Sequence, residues 1–347
     1  MKLSLIGYYG GNFGDLLMLD TLISYYKRKF SSISIFTYGD KDILDQAISL
    51  HKRDVEIETV PLNLISVAVF LEKVKGSSAL AWGGGTCFMD QGGTGGLKYM
   101  ALARSQGIPI YYLGIGMDSI TKSKTKLIVK AAGFLSRKIF LRDNKSLATA
   151  KKLGIDNTKL SFVPDLALLH KLDPAASGGT QQYVVFSCRD LTEYNGLDNH
   201  KVNRDLALLV VRLCAKLGVN RVVNLICDSE TDLSQAQLCN EVFQENGILT
   251  EIVMGHQIES AINAIQRASF VVSARLHPAV LAHASGIRFA IYNYSDKNLK
   301  FTEEEHQTSR LIDRFQIENY TFDLNPIPNI AHIEKEKLII QALDAVL

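Results

Sequence analysis

Short apolar runs rich in β-branched residues alternate with longer amphipathic runs along nearly the whole chain. The short runs predict buried strands, and the longer runs, with apolar residues three and four positions apart, predict helices. The segment 15–29 shows the second pattern with one apolar stripe: Leu16, Leu19, Leu22, Ile23 and Tyr26. A chain that repeats strand and helix in this order forms right-handed βαβ crossovers and a mainly parallel sheet.

The alternation occurs in two series. The first predicts the strands Lys2–Ile6, Ile33–Thr37, Val55–Val60, Ala79–Trp82, Pro109–Leu113 and Ile139–Leu141. The second predicts the strands Tyr183–Ser187, Val222–Ile226, Ile252–Met254, Phe270–Ser273 and Arg288–Tyr292. Helical patterns lie between most of these strands, so each series predicts its own α/β unit.

Between the two series lies a small, polar, breaker-rich stretch that is typical of a linker. A chain of 347 residues also suits two domains better than one core. We therefore expect an α/β fold of two Rossmann-like domains facing a cleft. Residues 1–172 would form the N-terminal domain, 173–182 the linker and 183–332 the C-terminal domain. Residues 333–347 would form a last helix that can pack back on the N-terminal domain.

Charge and cysteine usage exclude several classes of protein. The formal net charge is only +2, and no dense Lys/Arg block or alternation of aromatic and basic residues occurs, so nothing favours nucleic-acid binding. The five cysteines are odd in number and form no C-x-x-C pair, which argues against a disulfide framework or a zinc site. No apolar stretch is long enough for a signal peptide or a bilayer span. These features predict a cytoplasmic protein and leave contact with the inner face of the membrane open.

In the first half, glycines and carboxylates follow the predicted strands. Ligands of open α/β sheets bind beyond the carboxyl ends of the strands, so these loops are candidates for a site. The first loop does not match the dinucleotide pattern, because Tyr9 stands in place of its first glycine. Gly114-Ile115-Gly116 is expected to be a loop after the strand that ends at Leu113. The candidate cleft residues of this half are Gly11, Asn12, Asp15, Gly84, Gly85, Asp90 and Asp165.

In the second half, cations follow two predicted strands. Arg189 ends the first strand of the series, and Arg275-Leu276-His277 follows the strand 270–273 just before a helix predicted from Pro278. Two cationic side chains beside the free N–H groups of a helix start can hold a phosphate. The sequence alone therefore predicts an anion site here, without naming the anion.

The order and spacing of these motifs resemble those of the polysaccharide pyruvyl transferase family, from Gly7 to about Lys300. The resemblance rests on Gly7-Tyr8-Tyr9-Gly10, Asn12-Phe13-Gly14-Asp15, Gly83-Gly84-Gly85 with Phe88 and Asp90, Gly114-Ile115-Gly116, Arg142-Asp143 with Ser146, Pro164-Asp165, Arg189, Arg275-Leu276-His277, and Tyr294 with Lys297. It implies a GT-B-like fold and transfer of the pyruvyl unit of phosphoenolpyruvate onto sugar hydroxyls, usually as a ketal.

The resemblance also implies roles for residues. Arg189, Arg275, Leu276, His277 and Lys297 would bind the donor in the C-terminal domain, and the N-terminal domain would serve the acceptor. Histidine ordinarily changes charge near neutrality, so His277 is the expected general acid, assisted by Arg275. Asp15, Asp90 or Asp165 would accept the proton of the hydroxyl, with Asp15 the first choice.

We expect no metal and no cofactor beyond the donor. The acceptor could be a free saccharide, a nucleotide-sugar or a lipid-linked sugar of exopolysaccharide synthesis. Two alternatives stay open at this point: a GT-B glycosyltransferase that uses a nucleotide-sugar, and a non-catalytic module that binds a phosphorylated metabolite.

Overall fold

The computed structural model describes residues 1–170, 182–194, 196–327 and 332–347. Contacts within the chain divide it into two compact units. The first comprises Met1–Gly11, Asp15–Leu169 and Ala331–Leu347, and the second comprises Asn12–Gly14 and His170–Ile330. The predicted linker, 173–182, lies outside the described residues except for Gln182.

The first unit is built on a nine-stranded sheet. Its strands are β1 (Lys2–Gly7), β2 (Ser32–Thr37), β3 (Glu56–Pro61), β4 (Ser77–Gly83), β5 (Thr86–Met89), β6 (Gly93–Thr94), β7 (Ile110–Asp118), β8 (Lys138–Leu141) and β9 (Leu160–Phe162). The order is β3-β2-β1-β4-β7-β5-β6, and β8 pairs with both β7 and β9. The pairs are parallel except for the β5–β6 hairpin.

Helices connect these strands: α1 (Phe13–Tyr26), α2 (Lys41–Ala47), α3 (Val67–Val74), α4 (Leu97–Ser105), α5 (Ser123–Leu135) and α6 (Asn144–Lys152). The central strands β1, β2, β4 and β7 are buried on both faces, as the continuous apolar runs of the sequence predict. A core of apolar side chains lies between sheet and helices and includes Ile6, Phe36, Phe70, Leu80 and Tyr112.

Two stretches of the first unit differ from the prediction. Gly114-Ile115-Gly116 was expected to follow a strand but lies inside β7, which continues to Asp118. Gly114 has a φ of 62°, and the register between β7 and β8 shifts between Tyr112 and Ile115, so a bulge lets the strand continue past the glycine. Thr86–Met89, which follows the strand predicted to end at Trp82 and was not itself predicted as a strand, forms β5, because it pairs with the extended end of β7.

The second unit has a six-stranded, all-parallel sheet. Its strands are β10 (Val184–Ser187), β11 (Arg221–Ile226), β12 (Leu249–Met254), β13 (Phe270–Ser273), β14 (Phe289–Tyr292) and β15 (Leu311–Ile312), in the order β12-β11-β10-β13-β14-β15. Its helices are α7 (Asn199–Leu217), α8 (Leu233–Glu245), α9 (Ile258–Gln266), α10 (Leu276–Ala284) and α11 (Asp296–Glu304). This is the strand order of a Rossmann sheet, which reverses between β10 and β13.

The last helix, α12 (His332–Asp344), belongs to the first unit. The Tyr26 hydroxyl donates to the Leu343 carbonyl, and Lys29 forms an ion pair with Asp344. Among the described helices, none is long and apolar enough to cross a membrane. All five cysteines are free and buried.

Candidate active site

Residues 12–14 precede the body of α1 but pack within the second unit. The Phe13 N–H donates to the Cys227 carbonyl at 2.8 Å, and Asn12 forms a bridge with Asp228. A Cβ atom on Gly14 would lie 1.9 Å from Nδ1 of His277. Only glycine leaves room for the imidazole at this position, so the first predicted loop sets the place of His277.

Arg189 follows β10 and is held by two tyrosines. Its Nη1 donates to the Tyr294 hydroxyl at 2.8 Å and its Nη2 to the Tyr194 hydroxyl at 3.0 Å. The guanidinium also lies over both rings, 4.6 Å from the centroid of Tyr294 and 5.3 Å from that of Tyr194. Its Nε is buried and has no hydrogen-bond partner among the described residues. Both phenols are neutral partners, so the positive charge of Arg189 is not cancelled by them.

The backbone of Arg189 is held by hydrogen bonds to Asn203, which lies on α7 and is fully buried. The Asn203 side chain accepts from the Arg189 N–H at 3.4 Å and donates to the Arg189 carbonyl at 2.9 Å. A buried amide with both its groups bonded to one residue orients that residue strongly. The arginine is thus positioned at its backbone and at its guanidinium.

Arg275 follows β13 and is bound by a buried carboxylate. Its Nε and Nη2 donate to the two oxygens of Asp232, at 2.8 and 2.6 Å. Asp232 is 0% exposed and Arg275 7% exposed. Nη2 also donates to the Thr231 hydroxyl at 3.0 Å and lies 3.6 Å from Asp228.

This pair fixes the charge of Arg275. Burial acts to lower the pKa of the guanidinium, but the hydrogen bonds and the charge of Asp232 outweigh it, so the pKa lies above its ordinary value. Asp232 also accepts the Asp190 N–H at 3.0 Å. One carboxylate therefore ties together the segments that follow β10, β11 and β13, and the charge of Arg275 is balanced within the unit.

Leu276 and His277 occupy the first turn of α10, which begins two residues before the predicted start at Pro278. Both side chains are half-buried. The N–H groups in the first turn of a helix have no partner within the helix and favour an anion. Pro278 carries no N–H, so Leu276 and His277 supply the donors of this turn.

Lys297, the remaining predicted donor residue, lies exposed in the first turn of α11. Ser295 and Asn298 flank it. The Ser295 hydroxyl is buried and has no hydrogen-bond partner among the described residues. Asn298 donates to the carbonyls of Tyr292 and Ala274, which links the ends of β14 and β13.

The three predicted carboxylates of the first unit differ in their surroundings. A Cβ atom on Gly85 would lie 2.7 Å from an oxygen of Asp15, so that carboxylate lies against the glycine loop after β4. Gly84 fixes this loop, since its N–H donates to the Leu113 carbonyl at 2.7 Å. Gly11, the remaining candidate in this series, is half-buried in the loop after β1.

The other two carboxylates hold loops. Asp90 accepts from the Thr121 N–H and hydroxyl and from the Lys122 N–H, at the start of α5. Desolvation acts to raise the pKa of Asp90, but these hydrogen bonds outweigh it and the pKa lies below its usual range. Asp165 forms an ion pair with Arg142 at 3.1 Å and accepts the Ala167 N–H.

Sequence reasoning did not assign roles to Tyr194, Tyr294, Asn203 or Asp232. Tyr294 is among the residues on which the family resemblance rests, but nothing in the sequence predicts its contact with Arg189, which is 105 residues away. Asp232 follows a predicted strand, as the other candidates do, and that position could have identified it. Among the described residues, no group of three or more His, Cys, Asp or Glu side chains is arranged to hold a metal ion.

Solved structures similar to this chain include UDP-GlcNAc 2-epimerases and a protein in complex with UDP-glucose. UDP-GlcNAc 2-epimerase from Neisseria meningitidis, bound to UDP-GlcNAc, aligns with a TM-score of 0.65 at 11% identity, over 99% of this chain and 100% of that one. The epimerase from Rickettsia bellii aligns with a TM-score of 0.57 at 11% identity, over 99% and 97%. Anabaena Alr3699/HepE in complex with UDP-glucose aligns with a TM-score of 0.53 at 13% identity, over 100% of this chain and 94% of that one.

At such low identity these likenesses show the fold alone. They confirm the predicted class, an α/β chain with two Rossmann-like units of the GT-B type. No curated protein matches the chain in sequence. The family model described as polysaccharide pyruvyl transferase matches residues 12–296, most of the chain. This confirms the resemblance seen in the sequence, and the chain belongs to the polysaccharide pyruvyl transferase family.

Proposed function

We propose that the chain transfers the pyruvyl unit of phosphoenolpyruvate onto two hydroxyls of a sugar, forming a ketal and releasing phosphate. The observation that carries this proposal is Arg189. It is a cation held by neutral phenols, with a buried Nε that has no partner among the described residues. A buried donor left unsatisfied costs about 1–3 kcal/mol, which a bound anion would recover.

In this proposal the donor lies at the carboxyl ends of β10 and β13, which are adjacent strands. Arg189 binds one anionic group of the donor. The N–H groups of Leu276 and His277 bind the other, and Lys297 contributes charge from α11. Arg275 acts differently from the sequence-based expectation of a direct clamp, because its Nε and Nη2 already bind Asp232. We assign it to hold the start of α10 in place.

The chemistry follows from the donor. His277 gives a proton to the methylene carbon of phosphoenolpyruvate, which becomes a methyl group and leaves an oxocarbenium-like centre at C2. A sugar hydroxyl attacks that carbon and loses its proton to a base. The C2–O bond to phosphate then breaks with its electron pair, and a second hydroxyl of the sugar closes the ketal and releases its proton.

Asp15 is the proposed base. Asp90 and Asp165 accept hydrogen bonds that hold loops, so a change in their protonation would disturb the fold of the first unit. The acceptor is a saccharide, a nucleotide-sugar or a lipid-linked sugar. The residues assigned here require no metal or cofactor for these steps.

The test is incubation of the full chain with phosphoenolpyruvate and candidate acceptors, followed by mass spectrometry and a phosphate-release assay. We expect a mass gain of one pyruvyl group with one phosphate released per ketal. The His277→Ala variant should lose turnover but still bind phosphoenolpyruvate. Nucleotide-sugars supplied as donors give the comparison, because the fold neighbours bind UDP or UDP-sugars. Transfer of a sugar from them, with no pyruvyl gain, would refute the proposal.

A further inference from the structure

One surface of the first unit carries an unusual arrangement of charge. Residues 119–142 contain no Asp or Glu. Their cations are Lys122, Lys124, Lys126, Lys130, Arg137, Lys138 and Arg142. Since the whole chain has a formal net charge of only +2, the rest of the chain is net acidic and this stretch stands apart from it.

The helix α5 gathers part of this charge on its outer side. Its inner side is buried through Thr125, Val129, Ala132 and Gly133. Leu127 and Phe134, seven residues apart, share one outer stripe and are 69% and 83% exposed. Lys124 and Lys130 lie on either side of that stripe. We call the surface formed by Lys124, Lys126, Leu127, Lys130 and Phe134 the α5 face.

The lysines of the α5 face do not stabilise the fold. Lys124, Lys126 and Lys130 form no ion pair among the described residues, whereas Lys27, Lys41 and Lys73 each do. Lys124 and Lys126 lie near the start of α5, where the helix dipole disfavours cations, and the first turn contains no acidic residue. Lys126 and Lys130 are four apart and repel one another. These lysines are therefore available to an external anionic partner.

The ends of α5 are nevertheless held firmly. Asp90 accepts the Thr121 and Lys122 N–H groups at its start. Lys159 donates to the carbonyls of Gly133 at 3.1 Å and Phe134 at 3.0 Å at its end. The exposed Phe134 thus projects from an ordered helix end.

We propose that the α5 face docks on the surface of a bilayer that contains anionic phospholipids. Exposed apolar side chains flanked by lysines match the two parts of such a surface, because lysines bind the headgroups while Leu127 and Phe134 enter the acyl boundary. A nucleic acid or an anionic polysaccharide would attract the lysines but gain little from a leucine. A second copy of the chain is disfavoured, because a two-fold contact through this face would bring lysines against lysines.

The test is co-sedimentation of the full chain with vesicles of phosphatidylcholine, with and without phosphatidylglycerol. We expect binding only when phosphatidylglycerol is present, and loss of binding as salt is raised. A lysine near an anionic surface contributes about fivefold. The Lys124→Gln/Lys126→Gln/Lys130→Gln variant should therefore bind on the order of 100-fold more weakly. Leu127→Ser/Phe134→Ser should also weaken binding at constant charge.

The matched control is Lys75→Gln/Lys216→Gln/Lys337→Gln, which removes the same charge from exposed positions elsewhere. It should bind vesicles as the parent chain does. Thermal unfolding checks the fold: the α5 lysine variant should melt at the same temperature as the parent chain or higher, because its lysines oppose the helix dipole. Absence of binding to anionic vesicles, or an equal loss in the control variant, would overturn the proposal. Binding to heparin without binding to vesicles would assign the face to a polyanion, and a dimer broken by Phe134→Ser would assign it to self-association.

Discussion

Two arginines follow adjacent strands of the second unit, and their surroundings are opposite. After β10, Arg189 meets two phenols and keeps its charge. After β13, Arg275 meets Asp232 and is neutralised in a buried pair, with Asp228 3.6 Å away. In the sequence both are cations at strand ends. The structure gives them different partners, and we infer that Arg189 is available to an anionic ligand whereas Arg275 holds neighbouring segments together.

The largest expected effect breaks the buried pair. Asp232→Ala leaves Arg275 buried and without its main partner, which costs about 3–5 kcal/mol. We expect the free energy of unfolding, measured with urea, to fall by that amount. The Arg275→Met/Asp232→Leu double variant should recover most of the loss, because replacing both charges by apolar groups is often neutral. A single variant as stable as the parent chain would show that the pair does not stabilise the unit.

The second effect tests whether the positive charge of Arg189 binds phosphoenolpyruvate. Arg189→Met removes the guanidinium while the two tyrosines keep an apolar neighbour. A hydrogen bond to a charged group contributes about 1.5–3 kcal/mol, so the affinity for phosphoenolpyruvate should fall between about 10- and 100-fold. Calorimetric titration measures this, and the urea midpoint should change little. If affinity is unchanged while stability drops, Arg189 is structural and the contrast between the two arginines fails.

The third effect concerns His277, the proposed general acid. Gly14→Ala places a methyl group where Nδ1 of His277 lies, so the imidazole must move. Overpacking of this kind costs about 1–3 kcal/mol. We expect kcat to fall by more than tenfold while the KM for phosphoenolpyruvate changes little, because the acid and not the anion site is displaced. Gly133→Ala is the control, since its Cβ would crowd Ile155 at 2.9 Å and leave His277 in place.

Much of the fold could be predicted from the sequence. Periodicity placed the strands 33–37, 222–226 and 270–273 within a residue of their observed bounds, because parallel strands buried on both faces are continuous apolar runs. Strand ends also identified Arg189, Arg275 and Asp15 as candidates. The extension of β7 was not predicted, because the glycines at 114 and 116 are typical of a turn in the local sequence. Gly114 forms a bulge instead, because β7 continues its pairing with the neighbouring strand β8.

The partners of the candidates could not be predicted. Asp232 and Arg275 are 43 residues apart and lie on different βα units, so only the sheet order brings them together. The α5 face was hidden for a similar reason. Its lysines are separated by other residues in the sequence, and the helix is what collects them beside Leu127 and Phe134.

The smallest effect sharpens the comparison at Arg189 itself. Tyr294→Phe removes the hydroxyl that accepts from Nη1 but keeps the ring under the guanidinium. One hydrogen bond contributes about 0.5–1.5 kcal/mol, so the KM for phosphoenolpyruvate should rise by about 2- to 10-fold with kcat nearly unchanged. Tyr292→Phe is the matched control, because that hydroxyl lies 3.4 Å from the Arg314 carbonyl instead. A fall in kcat without a change in KM would mean that the two tyrosines serve the acid step, and Arg189 would then resemble Arg275 as a residue that positions another.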